Sequence, residues 1–183
     1  MQITAEWLQE KGACKGGLRC FIEHFPDGAE YQEVLDALAE EDDLNNAAWL
    51  MDKAGSTNAV LEVDGDLISD HSIFFAGSIK VSGNINVKGD IEAGGDIEAG
   101  CDIETGYGIK AGGGIKAGYG IEAGGGIEAG CGIEAGGDFG IYAGLNVRIS
   151  DKEKYAVVIA KHRPKNLLLG TFKQPAESEG QNG

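Results

Sequence analysis

The chain has 183 residues, of which 42% are apolar, and a formal net charge of −15. This apolar share is typical of a folded protein and excludes a chain that is disordered throughout. The sequence has no run of 18 apolar residues, and its first residues lack the basic and apolar regions of a signal peptide. It therefore predicts a soluble, cytoplasmic protein with no membrane partner.

The acidity is unevenly distributed along the chain. Residues 1–56 carry 12 acidic and 4 basic side chains, residues 57–150 carry 14 and 5, and residues 151–183 carry 4 and 6. Direct nucleic-acid binding is disfavoured because phosphates would be repelled. A basic protein surface or a nucleic-acid-binding protein is the better candidate partner. Alternatively, the charge only keeps a glycine-rich chain soluble and monomeric.

Residues 1–56 predict a small helical bundle that caps the repeat region after it. Its core is thin for so short a segment, so we expect it to lean on the rest of the chain. Start and stop signals predict four helices: 5–11 after Thr4, 17–25 before Pro26, 29–41 after the box formed by Asp27 and Glu30, and 44–54 before Gly55.

Residues 57–150 are organised by a repeat of six. An aliphatic or aromatic residue returns at every sixth position from Leu61 to Leu145, fifteen times. Because six is even, positions i, i+2 and i+4 share one side of an extended chain. Such fixed-period repetition predicts a β-solenoid. Side chains at these three positions are then expected to face the core. At position i+4 they include His71, Cys101, Tyr107, Tyr119 and Cys131, and at position i of the last two hexads they are Phe139 and Leu145.

Charge indicates three hexads per coil. Stacked coils bring equivalent residues to about 4.8 Å, where like charges repel. Three hexads give two outward ladders without stacked like charges: Lys80, Glu98, Lys116 and Glu134, and Phe74, Glu92, Lys110, Glu128 and Asn146. Two hexads per coil would stack Glu92 on Glu104. The predicted fold is therefore mainly β: a three-sided parallel β-solenoid of five 18-residue coils, with an α-helical segment before it.

The two ends of the repeat differ from its middle. Ile68 and Phe74 occupy outward positions that elsewhere hold charges, so we expect the helical segment to cover both. Residues 151–173 contain two apolar runs around a turn at Pro164, which predict a C-terminal β-hairpin cap. Residues 174–183 predict a disordered tail.

The third outward ladder has no lysine. It stacks Ile68, Asn86, Glu104, Glu122 and Gly140, and the neighbouring corner stacks Asp66, Asn84, Asp102, Gly120 and Asp138. The predicted partner-binding site is the set of unopposed carboxylates on this edge: Asp66, Asp102, Glu104, Glu122 and Asp138. The alternative is that the edge is simply solvated or is hidden in a homodimer.

Candidate reactive groups are few. Cys14, Cys20 and His24 come closest to a metal site but offer three ligands at most and no CxxC pair, which favours a structural role. The four cysteines are expected to be free thiols. No Ser/His/Asp or Cys/His set stands out. We therefore predict a protein that is not an enzyme and that needs no metal or cofactor.

Three resemblances accompany these patterns. The hexads GNINVKGDIEAGGDIEAG resemble bactofilins, polymer-forming bacterial cytoskeletal proteins with triangular β-helix cores. The segment ITAEWLQEKGACKGGLRCFIEHFPDGAEYQEVLDAL resembles the helical lead-in of small accessory proteins encoded by tailed phages and prophages. The rod also resembles that of hexapeptide-repeat acyltransferases. These resemblances imply, in order of preference, a phage-derived protein that occupies a host or defence protein, a self-associating scaffold, and an acyltransferase relative.

Overall fold

The computed structural model describes residues 1–176. The last three of these lie outside regular secondary structure, and residues 177–183 of the predicted disordered tail lie outside the described part. The described chain forms a helical region at residues 1–54 and a parallel β-solenoid at residues 60–173. None of the described helices is long and apolar enough to cross a lipid bilayer.

The helical region contains four helices and one small sheet. Its elements are β1 (Gln2–Ile3), α1 (Ala5–Glu10), α2 (Lys15–His24), β2 (Ala29–Glu30), α3 (Tyr31–Glu40) and α4 (Leu44–Ala54). The predicted cap of α1 is confirmed, since the Thr4 hydroxyl accepts a hydrogen bond from the Trp7 N–H. The predicted box of Asp27 and Glu30 before α3 is wrong. Glu30 and Glu33 form the capping box instead, because the antiparallel pairing of β2 with β1 keeps residues 29 and 30 extended.

The solenoid has three faces, each a parallel sheet. The first face contains β3 (Val60–Val63), β6 (Ser78–Val81), β9 (Ile97–Ala99), β12 (Ile115–Ala117) and β15 (Ile133–Glu134). The second contains β4 (Leu67–Ser69), β7 (Ile85–Val87), β10 (Ile103–Thr105), β13 (Ile121–Ala123), β16 (Ile141–Ala143) and β18 (Leu167–Leu169). The third contains β5 (Ile73–Phe75), β8 (Ile91–Ala93), β11 (Ile109–Ala111), β14 (Ile127–Ala129), β17 (Val157–Ile159) and β19 (Thr171–Lys173).

Strand register confirms the 18-residue coil. Ile79 lies opposite Ile97, and Ile91 lies opposite Ile109. The isoleucine column fills the centre, where Ile85, Ile97, Ile103, Ile121 and Ile127 have no exposed surface. The charged ladder Lys80, Glu98, Lys116 and Glu134 is in register as predicted. Two faces carry six strands, so the rod has about six coils and not five.

The side chains at position i+4 of the hexads, which were predicted to face the core, do not do so. Tyr107 is 63% exposed and Tyr119 is 45% exposed. His71 and Cys131 are also exposed, and Cys101 is only partly buried. Most strands are only three residues long, so the fifth residue of a hexad already lies in the corner between two faces. There the chain turns, and the side chain points outward despite the even spacing.

The hexad register ends after Ile133. Ile121 pairs with Ile141, which is twenty residues away instead of eighteen. The two additional residues form a turn at Gly137 and Asp138. Phe139 and Leu145, which were predicted to point inward, are therefore 45% and 49% exposed. Asn146 also leaves its predicted ladder, because Ile159 takes the place beside Glu128.

The predicted C-terminal hairpin is wrong. A 3-10 turn at Ile149–Asp151 and a short helix, α5 (Lys152–Tyr155), lead into β17. From there the chain makes one more coil, because β17 adds in parallel to β14, and β18 and β19 add in parallel to β16 and β17. The two apolar runs lie on different faces. They extend the solenoid and do not pair with each other.

The helical region packs on the outer side of the third face. Phe74 is 3% exposed and belongs to the apolar core of the helices, as predicted. Gln32 on α3 fixes the contact: its side-chain amide donates to the Phe74 carbonyl at 2.7 Å, and its amide oxygen accepts from the Ala76 N–H at 3.0 Å. Ile68 lies on the second face, which the helices do not cover there, and it is 74% exposed. Its predicted burial is wrong.

Candidate partner-binding edge

The candidate site lies on the second face and the corner that leads into it. The outward residues of β4, β7, β10 and β13 form a column, Ile68, Asn86, Glu104 and Glu122, in continuous parallel register. In the corner, Asp66, Asn84 and Asp102 stack at intervals of 18 residues. We call Asp66, Asp102, Glu104 and Glu122 the acidic edge.

The corner side chains hold neighbouring coils together. The Asp66 carboxylate accepts hydrogen bonds from the Asn84 backbone N–H at 2.7 Å and side-chain amide at 3.0 Å. The Asn84 amide oxygen accepts from the Asp102 N–H at 3.2 Å, and Asp102 in turn accepts from the Gly120 N–H at 2.8 Å. Each carboxylate uses one oxygen for this bond. Asn84 shows that an amide fills the same place.

The outward column carries like charges on adjacent coils. Glu104 lies directly opposite Glu122, at the strand spacing of about 4.8 Å. On its other side Glu104 accepts a hydrogen bond from the Asn86 amide at 3.2 Å. None of the ion pairs formed between described residues involves these two glutamates. Their charge is therefore directed to solvent.

The edge surrounds a shallow depression of about 430 Å³. Four carboxylates, two asparagines and Ile68 supply its side chains, and the strands below supply Ile85 and Ile103. No Lys, Arg or His contributes to this lining. An anionic hollow with an exposed aliphatic residue at one end can receive the amines or guanidinium groups of a partner, together with their apolar stems.

Asp138 does not belong to this edge. The carbonyl of Gly140 accepts from the Ile121 N–H at 3.1 Å, in the place that Gly120 takes one coil earlier. Asp138 is exposed in the turn that the two additional residues create. Tyr142, and not Gly140, continues the outward column beside Glu122. The predicted site of five carboxylates is thus reduced to four neighbours.

The other two outward ladders are compensated. On the third face, the Lys110 ammonium contacts the Glu92 carboxylate at 2.5 Å, and the same lysine lies opposite Glu128. On the first face, Lys116 lies between Glu98 and Glu134. Alternation of sign along these columns leaves little net field, whereas the second face places two like charges on adjacent coils with no cation in the same column.

The cysteines and histidine of the helical region have structural partners. The Cys14 sulfur caps α2 by accepting a hydrogen bond from the Gly17 N–H. The Nδ1 atom of His24 lies 2.9 Å from the Cys20 carbonyl oxygen, and its Nε2 atom lies 3.1 Å from the Glu41 carboxylate. Burial, and then the charge of Glu41, raises the pKa of the Cys20 thiol. This keeps Cys20 protonated and disfavours the thiolate that nucleophilic catalysis or metal binding needs.

A role of the corner side chains escaped the sequence analysis. Asp90 and Asp96 accept from the backbone N–H groups of Gly108 and Gly114, as Asp66 and Asp102 do in their corner. Ser72 and Ser78 serve the preceding coil in the same way. The signal was present, because Asp, Asn or Ser recurs just before the inward aliphatic residue of successive hexads, at intervals of 18 residues.

Comparison with known proteins gives one similarity. Residues 1–58, about a third of the chain, match the family model described as the YdhT N-terminal domain. This segment coincides with the helical region. No curated protein and no solved structure matches the chain. The similarity therefore covers the helical region and does not extend to the strands of the solenoid that carry the acidic edge.

Proposed function

We propose that this chain is a non-enzymatic binding protein whose acidic edge engages a basic protein surface. The observation that carries the proposal is the continuous depression formed by Asp66, Asp102, Glu104 and Glu122, to which no cation contributes. Such a surface steers a basic partner toward it and accepts its side chains on arrival. A host or defence protein that normally binds nucleic acid has a surface of this kind.

We further propose a phage or prophage origin and action in the host cytoplasm as an inhibitor. The lead-in sequence supports the origin, and the acidic edge supports partial mimicry of nucleic acid. Duplex DNA has one charge per about 1.7 Å of axis. Carboxylates on successive coils are about 4.8 Å apart, so the mimicry is local and does not extend over a long duplex. The three-sided solenoid supports a relationship of the hexads to bactofilins at the level of fold.

The test compares two variants that lose the same charge. The edge variant replaces Asp66 and Asp102 with Asn and Glu104 and Glu122 with Gln. It should fold normally, since Asn84 already performs the corner role with an amide. The control variant removes four negative charges elsewhere, by Gln or Asn substitution at Glu98, Glu128, Glu134 and Asp138.

Both variants and the parent would be used to capture partners from host lysate at 0.1 and 0.5 M salt. Captured proteins would be identified and their affinities measured with the purified partner. We expect the edge variant to bind more than tenfold more weakly, a loss of about 1.4 kcal/mol, and the control variant to bind as the parent does. Excess duplex DNA should displace the partner. Equal binding by the edge variant would refute the proposal.

A further inference from the structure

A second concave site lies within the helical region and shares no lining residue with the acidic edge. It is a cleft of about 280 Å³. All four helices contribute apolar side chains to its walls, among them Leu8, Phe21, Leu38, Trp49 and Leu50. Ligand sites are concave and mostly apolar in the same way, with volumes from about 300 Å³ upward. The cleft therefore has the character and the size of a site for a compact ligand.

Two glycines help to keep the cleft open. Gly12 follows α1 in the left-handed region, and a Cβ atom added there would meet no other atom within 4 Å. Gly17 on α2 faces α4 across the cleft, since a Cβ atom at Gly17 would lie 3.4 Å from the Asn46 amide oxygen. Leu38 and Trp49 in the walls are only partly buried. The cleft thus offers apolar surface that the described chain leaves uncovered.

The charged side chains of the lining are acidic. Glu41 and Asp43 line the cleft, and no Lys or Arg of the described residues does so. The basic group nearest to them is the His24 imidazole, whose Nε2 atom lies 3.1 Å from the Glu41 carboxylate. Asp43 is fixed in place because its carboxylate accepts from the Asn46 backbone N–H at 3.2 Å and side-chain amide at 2.6 Å. Among the described ion pairs, none joins either carboxylate to a lysine or an arginine.

The field of these carboxylates reaches into the cleft. Cys20 on α2 also belongs to the lining, and burial followed by the charge of Glu41 raises the pKa of its thiol. The same field favours a positive group in the cleft. The aromatic rings of Phe21 and Trp49 favour a cation as well, because their faces are electron-rich. Charge and wall chemistry therefore select the same kind of ligand.

We propose that this cleft binds a small apolar amine. The apolar body contacts Leu38 and Trp49, and the ammonium group lies beside Glu41 and Asp43. A carboxylate has about four acceptor sites, so both acids can receive the ammonium and keep their present partners. The cleft belongs to the helical region, so this inference does not depend on what the acidic edge binds.

The first test compares three probes that share one body and differ in charge: naphthylethylamine, naphthylethanol and naphthylacetate. Binding to the whole chain would be measured by calorimetry at neutral pH. The amine should bind with a Kd below about 1 mM, the affinity that ordinary ligand efficiency gives a molecule of this size. It should bind at least about tenfold more tightly than the alcohol or the acetate. Absence of saturable amine binding would overturn the proposal, and equal binding of all three probes would overturn the choice of a cation.

Alkylation by iodoacetamide locates the bound amine. Cys14 and Cys20 line the cleft, whereas Cys101 and Cys131 lie on the solenoid and serve as internal controls. Saturating naphthylethylamine should slow alkylation of Cys14 and Cys20 and leave the rates at the two controls unchanged. Unchanged rates at Cys14 and Cys20 would overturn the placement of the amine in the cleft.

A substitution in the mouth of the cleft tests its shape. Gly17→Leu places a side chain there and should weaken binding of all three probes more than tenfold. Gly16→Leu is the matched control, because Gly16 lies on the same helix, is exposed and is not part of the lining. It should bind as the parent does. Melting curves would show that both variants fold, and equal amine binding by a folded Gly17→Leu variant would contradict the proposal.

A second pair of variants tests the charge. Glu41→Gln combined with Asp43→Asn removes both carboxylates and keeps the cap of α4, since Asn caps a helix as well as Asp does. Amine affinity should fall about tenfold, to that of the alcohol, whose own affinity should not change. Glu40→Gln combined with Asp42→Asn is the control, because it removes the same charge from exposed neighbours outside the lining. Equal loss of amine binding in both variants would show that net charge, and not the cleft, attracts the amine.

Discussion

Phe74 is the side chain through which the helical region rests on the solenoid. Equivalent positions on the same face carry Glu92, Lys110 and Glu128, so Phe74→Glu restores the ordinary outward residue of the repeat. A phenylalanine that is 3% exposed removes roughly 150–250 Å² from water. At about 25 cal/mol per Å² this contributes about 4–6 kcal/mol to the contact between the two regions.

The expected result is loss of the helical region without loss of the rod. The two tryptophans of the chain, Trp7 in α1 and Trp49 in α4, both lie in the helices. Their fluorescence reports helical unfolding, and circular dichroism reports the strands. Since 1 kcal/mol shifts the Tm of a small domain by roughly 4–8 °C, the tryptophan transition should fall by more than about 15 °C.

Ile68→Glu is the matched control, because it makes the same kind of change at the same outward position one face earlier. Ile68 is exposed, so the tryptophan transition should not move. If Phe74→Glu leaves the tryptophan transition where it is in the parent, Phe74 does not secure the helices. Parallel loss of the strand signal would instead show that the two regions unfold as one unit.

Three further changes test the coil, its charges and its corners. Ile109→Asp buries a carboxylate in the isoleucine column, at a site that is 1% exposed. This burial costs several kcal/mol, so the melting transition should disappear or move to a much lower temperature. A variant that melts at the same temperature as the parent would contradict the inward assignment of Ile109. Lys116→Glu places three carboxylates in a row with Glu98 and Glu134. The free energy of unfolding should fall by about 0.2–1 kcal/mol per pair at low salt and by less at high salt. A loss of stability that does not change with salt would count against the ladder. Burial, and then the charge of Glu92, raises the pKa of Asp90. The stability linked to Asp90 is therefore fully present below the ordinary aspartate pKa of about 4 and is lost as pH rises through the raised value. Asp90→Asn should raise the Tm at pH 7 and not at pH 3, and an equal effect at both would refute this.

The sequence by itself determined the solenoid and its coil length. A period of six requires an extended chain with alternating sides, and three hexads per coil place lysines beside glutamates on two of the three faces. The same periodicity placed Phe74 outward, and its apolar character predicted the cover that the helices provide. The acidic edge was also accessible, since Asp66, Asp102, Glu104 and Glu122 are brought together by the 18-residue interval alone.

Only the tertiary structure decided where side chains point at the corners of the solenoid and how the strands pair after the hexad repeat ends. Tyr107 and Tyr119 obey the alternation, yet they point outward because the backbone turns between faces and reverses the side-chain direction there. Asp138 left the edge because two additional residues before Ile141 shift the register, and only pairing between strands reveals such a shift. The last coil was misread as a hairpin for a related reason: short apolar runs form either structure, and the choice depends on the open strand edges of β14 and β16 that lie beside them.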